Sequence, residues 1–253
     1  MYKFKMKALI LAAGYATRLF PLTREYPKPL LSVAGEPIIN YIIDKLQSVK
    51  EIDEIIVITN SKFILRFREW RRGLMGNAKR IILIDDLTKD IHDRRGAIGD
   101  MNFAVHKRRI RDDLLVIGGD NLFDEDLGDF ISFARAKINH PVIGVYDLKS
   151  KAEAVQYGVV KLNSHGKVVD FKEKPKKPQS TLVAMCLYYF PKEKLGLIKE
   201  YLVTKADKHD AMGFYIDWLR KKVTVYAFAF AKRWYDIGHP KIYEGVTKSY
   251  GKV

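Results

Sequence analysis

Cysteine is nearly missing from this chain. A single Cys186 in 253 residues excludes an internal disulfide framework and any all-cysteine zinc site, and it fits a reducing, cytoplasmic compartment. Long apolar runs are missing too: the longest, residues 8–13 and 223–231, fall far short of the roughly 20 needed for a membrane helix. No membrane partner is expected. The first ten residues lack a small-residue cleavage site after their short apolar stretch, so they read as the opening strand and not as a signal. Neither a GxxxxGK[ST] loop nor a full GxGxxG fingerprint occurs, which leaves a P-loop hydrolase and a dinucleotide-dependent dehydrogenase unsupported. The six histidines, at 92, 106, 140, 165, 209 and 239, include no two-histidine zinc spacing with a carboxylate, so a transition-metal site is not expected.

Negative charge is scarce relative to positive. Asp+Glu 30 against Lys+Arg 45 leaves +15, a balance shared by nucleic-acid binders, membrane-surface proteins and enzymes of polyphosphate substrates. Many of the cations cluster between Lys62 and Arg111, among them Arg66, Arg68, Arg71, Arg72, Lys107, Arg108, Arg109 and Arg111, partly on expected helices, and a solvated helical surface accounts for them. Hydrophobic residues make up 47%, enough apolar surface to exclude wholesale disorder.

In the first half, short apolar runs alternate with amphipathic stretches, the grammar of βαβ units around a mostly parallel sheet. Residues 7–12 read as a buried strand. Residues 38–49 read as a helix, because Ile38, Ile42, Leu46 and Val49 share a face and Pro37 suits its first turn. Further strands are expected at 55–59, 80–84, 114–118 and 141–146, with helices at 97–107 and 127–137 between them. Phe63, Phe67 and Trp70 form a helical stripe that belongs in a core rather than on a base-stacking surface. After about residue 150 the pattern turns antiparallel: residues 157–162 and 168–173 flank a hairpin signal around Gly166. Strands at 182–190 and 223–230, helices at 193–202 and 212–221, and a last helix opened by Pro240 complete the chain. Without a composition break or repeat, residues 1–253 are expected to form one α/β domain with two halves, 1–146 and 147–253.

The most informative stretch is Leu11-Ala-Ala-Gly-Tyr-Ala-Thr-Arg-Leu-Phe-Pro-Leu-Thr, followed by Tyr26-Pro-Lys-Pro-Leu and Gly35-Glu-Pro-Ile. Ala12, Ala13, Gly14 and Ala16 keep side chains small, so backbone N–H groups can approach a phosphate or a base. Arg18 adds a guanidinium fork and Lys28, held by Pro27 and Pro29, a point charge. An ordinary strand-to-helix turn explains the loop equally well on composition alone.

The run from Leu11 to Ile39 resembles the signature of the sugar-1-phosphate nucleotidyltransferases, the family of glucose-1-phosphate thymidylyltransferase and uridylyltransferase. Similarity recurs in order at Gly96-Ala-Ile-Gly-Asp, Val116-Ile-Gly-Gly-Asp-Asn, Tyr157-Gly-Val-Val, Phe171-Lys-Glu-Lys-Pro and Trp234-Tyr-Asp-Ile-Gly-His-Pro, and so covers nearly the whole chain. The resemblance implies a Rossmann-like three-layer fold with a mixed, mostly parallel central sheet and a small antiparallel sugar-binding lobe. It implies transfer of a nucleotidyl group from a nucleoside triphosphate to a sugar 1-phosphate, with Arg18 and Lys28 catalytic. Leu11, Ala12, Ala13, Gly14, Thr17, Gly96 and Asp120 would bind nucleotide, and Asn121, Gly158, Glu173 and Lys174 the sugar phosphate. Asp120 and Asp236 would hold Mg²⁺. Gly158 would let a sugar ring approach the backbone.

Two departures from the family pattern stand out. Residues 88–95 contain no glutamine where the family reads a pyrimidine edge, while Gly119-Asp120-Asn121 favours the pyrimidine and glucose branch, hence dTTP or UTP and glucose 1-phosphate. Ala16 stands where glycine is common, and its methyl is expected to be accommodated at a negative φ. The resemblance stops short of the β-helix carried by larger relatives, so no second activity is expected. Homo-oligomerisation is left open, and no specific nucleic acid is expected. The rival reading is a non-catalytic basic nucleotide- or nucleic-acid-binding protein on the same fold, motivated by the +15 charge and marked by steeply salt-dependent polynucleotide binding.

Overall fold

A computed structural model describes residues 5–74, 79–205 and 210–250. Residues 1–4 of the expected opening segment, and His209, lie outside the described residues.

The chain opens with β1 (Met6–Leu11), then α1 (Ile38–Ser48) after a small hairpin of β2 (Ser32–Val33) and β3 (Glu36–Pro37). β4 (Ile52–Thr59), α2 (Ile64–Gly73), β5 (Arg80–Asp85), α3 (Gly96–Arg108) and β6 (Asp113–Gly118) continue the alternation. Next come β7 (Asn121–Phe123), α4 (Gly128–Ala136), β8 (Val142–Asp147), the short α5 (Lys151–Ala154), β9 (Gly158–Leu162), β10 (Val168–Glu173) and β11 (Leu182–Phe190). The last elements are α6 (Gly196–Thr204), α7 (Met212–Lys222), β12 (Tyr226–Phe230), β13 (Trp234–Asp236) and α8 (Pro240–Ser249). Among the described residues, no helix is long and apolar enough to cross a membrane.

The fold is mixed α/β in three layers. A nine-stranded sheet runs β10-β9-β11-β6-β1-β4-β5, with β8 branching from β11 and β12 from β8. β6, β1, β4 and β5 are parallel, and helices cover both faces; β1 and β4 accordingly read as near-continuous apolar runs. Ile39, Ile42, Ile43 and Leu46 of α1, Phe67 of α2 and Phe130 of α4 pack on one face. On the other lie Ile98 and Met101 of α3, Ile198 of α6 and Tyr215, Ile216 and Leu219 of α7. Phe63 and Phe67 are buried in the first of these cores, as the stripe implied.

The antiparallel strands of the second half are continuous with the main sheet. β11 pairs antiparallel with β6 and β9 along one edge and with β8 along the other. This junction requires a break in β11: its register shifts between Ala184 and Tyr188, and Cys186 adopts φ 54 inside the strand. Register also levels the site, because Leu11 lies opposite both Ile58 and Gly118. The carboxyl ends of β4, β1 and β6 therefore finish together, the edge at which open α/β sheets bind ligands.

Candidate active site

At that edge the chain leaves β1 as an anchored loop. Ala12 N donates to Ile58 O at 2.9 Å, and the fully buried Asn60 donates its Nδ2 to Ala13 O at 2.8 Å. Above Gly14 the space is open: a methyl there would meet nothing within 4 Å. Ala16 takes φ 48, not the negative φ its sequence position suggested. That costs about 1–2 kcal/mol for a residue with a Cβ, offset by Thr23 Oγ1 donating to Ala16 O at 2.8 Å and by the turn Thr17–Leu19 that follows. Leu19 is buried, whereas Thr17 is exposed and Arg18 lines the adjoining cavity.

Lys28 sits in the turn Lys28–Leu30 with buried prolines on either side. Its Nζ is 2.5 Å from Asp120 Oδ2, and the side chain is only 12% exposed. Burial pulls the ammonium toward neutrality, but Asp120 and Asp236 outweigh it and hold the pKa above its ordinary value. Lys28 is thus a fixed charge.

Asp120 follows the Gly118-Gly119 turn after β6. A Cβ on Gly119 would lie 3.0 Å from Leu11 O and 3.1 Å from Pro29 Cγ, so a glycine is what lets this turn close onto the β1 loop. Gly119 N donates to Leu11 O at 2.9 Å. Asp236 arrives from the far end of the chain through the pairing of β13 with β7, which sets it opposite Asn121. Ile237 N donates to Asp120 O at 3.3 Å. The two carboxylates are close enough to couple: burial, and then Asp120, push Asp236 up to about 6.

Asn121 is placed differently from a surface ligand. It is buried, its Oδ1 accepts from Trp234 Nε1 at 2.7 Å, and its Nδ2 points to the carbonyls of Gly118 and Cys186 at 3.4 Å. Its amide staples β7 to β13 and β11, and so fixes the spacing of the two aspartates. Cys186 lines the cavity as well, its thiol pushed up by burial and then by Asp120 and Asp236, which keeps it protonated and unreactive.

A cavity of about 650 Å³ opens beside these groups, lined by Arg18, Asp120, Asp236, Glu173, Lys174 and Gly213 among others. Glu173 ends β10; burial raises its carboxyl pKa, against the opposing charge of Lys174 at 3.9 Å. Gly158 lines the cavity but is crowded from within the protein: a Cβ would be 2.5 Å from Phe171 Cζ. The Phe171 ring therefore already demands glycine there, without any approaching sugar.

Gly96 opens α3 at φ 71. Around it lie groups that the motif reading passed over. Arg94 grips Asp210 bidentately at 3.1 and 2.8 Å, and Ala97 N donates to Asp210 O at 3.2 Å. Asp86 accepts from Thr88 N and Oγ1 at 2.7 and 2.8 Å, and Thr88 Oγ1 lies 3.3 Å from Tyr15 OH of the β1 loop. Asp100 is buried near Asp86, and burial and then that neighbour raise its carboxyl to about 8. The signal for Asp100 was available: it stands beside Ile98, Met101 and Ala104 on the buried stripe of α3. Nothing local in the sequence joins Arg94 to Asp210.

A carboxylate pair with a lysine and an arginine thus stands at the carboxyl edge of a Rossmann-like sheet, a set of groups suited to phosphates. Comparison makes the class particular: the family described as "Nucleotidyl transferase" matches residues 7–252, and the chain belongs to it. Among its relatives, the bifunctional protein GlmU of Methanocaldococcus jannaschii is 29% identical over 237 residues, covering 93% of this chain and 52% of that protein. The UTP–glucose-1-phosphate uridylyltransferase AglF of Haloferax volcanii is 29% identical over 187 residues, 73% of this chain and 72% of AglF. A crystal structure of UDP-glucose pyrophosphorylase complexed with UDP-glucose superposes with a TM-score of 0.81 at 18% identity, covering 98% of both chains. The chain spans about half the length of GlmU relatives it matches.

Proposed function

We propose that this protein transfers a nucleotidyl group from a nucleoside triphosphate to a sugar 1-phosphate, releasing pyrophosphate, with dTTP or UTP and glucose 1-phosphate as the favoured pair. The observation that carries the reading is one cavity lined by Arg18, Asp120, Asp236, Glu173 and Lys174, with Lys28 paired to Asp120 beside it. A polynucleotide binder has no use for two closely coupled carboxylates beside its cations. The name of AglF supports the choice of UTP and glucose 1-phosphate.

In this reading a phosphate oxygen of the sugar phosphate attacks the α-phosphorus. A new P–O bond forms, the α–β bridging P–O bond breaks, and pyrophosphate leaves with the electron pair. The attacking oxygen is already an anion, so no general base is needed. What the reaction needs is cationic charge around converging anions, together with alignment. Arg18, exposed on the cavity wall, and Lys28, kept charged by its aspartate neighbours, supply the first. The open ground above Gly14 and the levelled strand ends supply a seat for the nucleotide. Glu173 accepts from sugar hydroxyls, and Lys174 meets the sugar's phosphate.

Asp120 and Asp236 fit a hard divalent cation: two coupled carboxylates, with no third acidic, histidine or cysteine ligand grouped with them among the described residues, suit Mg²⁺ completed by phosphate oxygens and water. When bound, Mg²⁺ neutralises charge on the reacting phosphates. Until then Lys28 is the countercharge to Asp120.

The test is a matrix of dTTP, UTP, GTP, CTP and ATP against glucose-, galactose-, mannose- and N-acetylglucosamine-1-phosphate with Mg²⁺, following pyrophosphate release and NDP-sugar formation. Sugar-dependent release abolished by EDTA is the expected result. Absence of turnover with every pair, alongside salt-sensitive polynucleotide binding, would favour the non-catalytic alternative.

A further inference from the structure

Helices α4 and α6 open on Gly128 and Gly196, where an added methyl would meet nothing within 4 Å. Gly213, the second residue of α7, is different. A Cβ built there would fall inside contact distance of Glu173 Oε2, and would lie 2.8 Å from Phe171 Cε1 and 2.9 Å from Glu173 Cδ. The carboxyl group of Glu173 occupies the volume that a side chain at 213 would fill. Glycine near a helix start gives up as much as about 1 kcal/mol of helix propensity relative to alanine, and at this position the space it frees is used.

We infer that Gly213 is a positioning residue for sugar-phosphate recognition: it sets how deep the Glu173 carboxylate sits in the cavity wall. The inference rests on the reading of Glu173 as the sugar contact. Its geometry is that of a slot with two glycine walls. Phe171 and Glu173 project to the same face of β10. A Cβ at Gly158 would lie 2.5 Å from Phe171 Cζ and 3.2 Å from Glu173 Oε2, while Gly213 closes the slot from α7. Among the described residues the Glu173 carboxylate accepts no hydrogen bond, Lys174 stays 3.9 Å away, and Glu173 lines the cavity. The lead into α7 is itself fixed from the other half of the chain, by Arg94 on the Asp210 side chain and by Ala97 N on the Asp210 carbonyl. The far end of the Glu173 side chain is the part that can yield to a methyl at 213, so the carboxylate must leave the position it holds between the two glycines.

The experiment compares Gly213→Ala, Glu173→Asp and the double variant, with Gly196→Ala as the open-space control. The assay uses whichever sugar 1-phosphate the wild type turns over fastest in the matrix above, and melting temperatures are measured in parallel. Gly213→Ala is expected to raise KM for the sugar phosphate on the order of 10-fold or more while KM for the nucleotide stays within about twofold. Shortening the acid by one methylene removes the two Glu173 contacts and leaves only the one at 2.8 Å to Phe171 Cε1, so the double variant is expected to regain several-fold of the loss, and Gly196→Ala to match wild type. A folded Gly213→Ala with wild-type KM for the sugar phosphate overturns the inference, and so does a double variant no better than Gly213→Ala. Should Gly213→Ala fail to fold, a double variant that folds supports the slot, and one that does not fold refutes it. Wild type inactive with every sugar phosphate removes the functional reading and this inference with it; active wild type with an indifferent Gly213→Ala removes the inference alone.

Discussion

Replacing Asn121 tests how the two aspartates are held together. Its Oδ1 is the acceptor for Trp234 Nε1 at 2.7 Å, and both residues are buried. Asn121→Leu strands the buried indole N–H without its partner. A buried donor left unsatisfied costs about 1–3 kcal/mol; the long contacts of Nδ2 to Gly118 O and Cys186 O, at 3.4 Å, add little. Taking about 2 kcal/mol, a chain of this size should melt about 4–8 °C lower. Trp234→Phe strands the acceptor instead and should cost a similar amount, whereas the double variant strands neither. The cycle measured by thermal unfolding should therefore show a coupling of about 1 kcal/mol or more, above the few tenths expected of independent sites. Because Asp236 stands opposite Asn121 in the β13–β7 pairing, the single variants should also need more Mg²⁺ for half-maximal activity. Additive melting losses would refute the staple, and an unmoved magnesium titration would refute its role in spacing the carboxylates.

Arg18→Ala should lower kcat on the order of 100-fold with the melting temperature unchanged, since Arg18 is exposed on the cavity wall and bears no structural load; intact turnover would remove its catalytic role. Asp120→Asn should weaken magnesium-dependent activity selectively, and a magnesium titration matching wild type would withdraw the metal assignment. Asp100 gives a pH prediction. Its folded pKa of about 8 lies above the unfolded value, so the folded state binds the extra proton. That stabilisation is complete below about pH 4 and is lost as pH rises through 8. Asp100→Asn should flatten the decline and melt higher than wild type at pH 8.5; parallel melting curves across pH 5–9 would contradict the raised Asp100 carboxyl.

Periodicity made the alternation of the first half legible, and strands such as Val168–Glu173 and Leu182–Phe190 fall where the apolar runs stand. Arg18, Lys28, Asp120, Asp236, Glu173 and Lys174 were nameable from motifs, and they line or adjoin one cavity. What stayed hidden depends on pairing between distant segments. β7 and β13 are three residues each, too short for a period, yet their register brings the aspartates together. The left-handed Ala16 was misjudged because its conformation is imposed by Thr23 and the turn behind it. Gly213 looked like any helix-opening residue, since crowding by Glu173 exists only after β10 and α7 meet. Asp100 was missed because a carboxylate on a buried stripe reads as an error in the stripe until its partner, Asp86, is known.

The β13–β7 pairing also has a consequence for the chain as it is made. Asp120 emerges with the first half and Asp236 near the end, so a nascent chain that has already built its parallel core and its β1 loop holds one carboxylate, with Lys28 beside it. The acidic partner that completes the pair is the last part of the site to be synthesised. The carboxylate pair is therefore completed only when a three-residue strand docks.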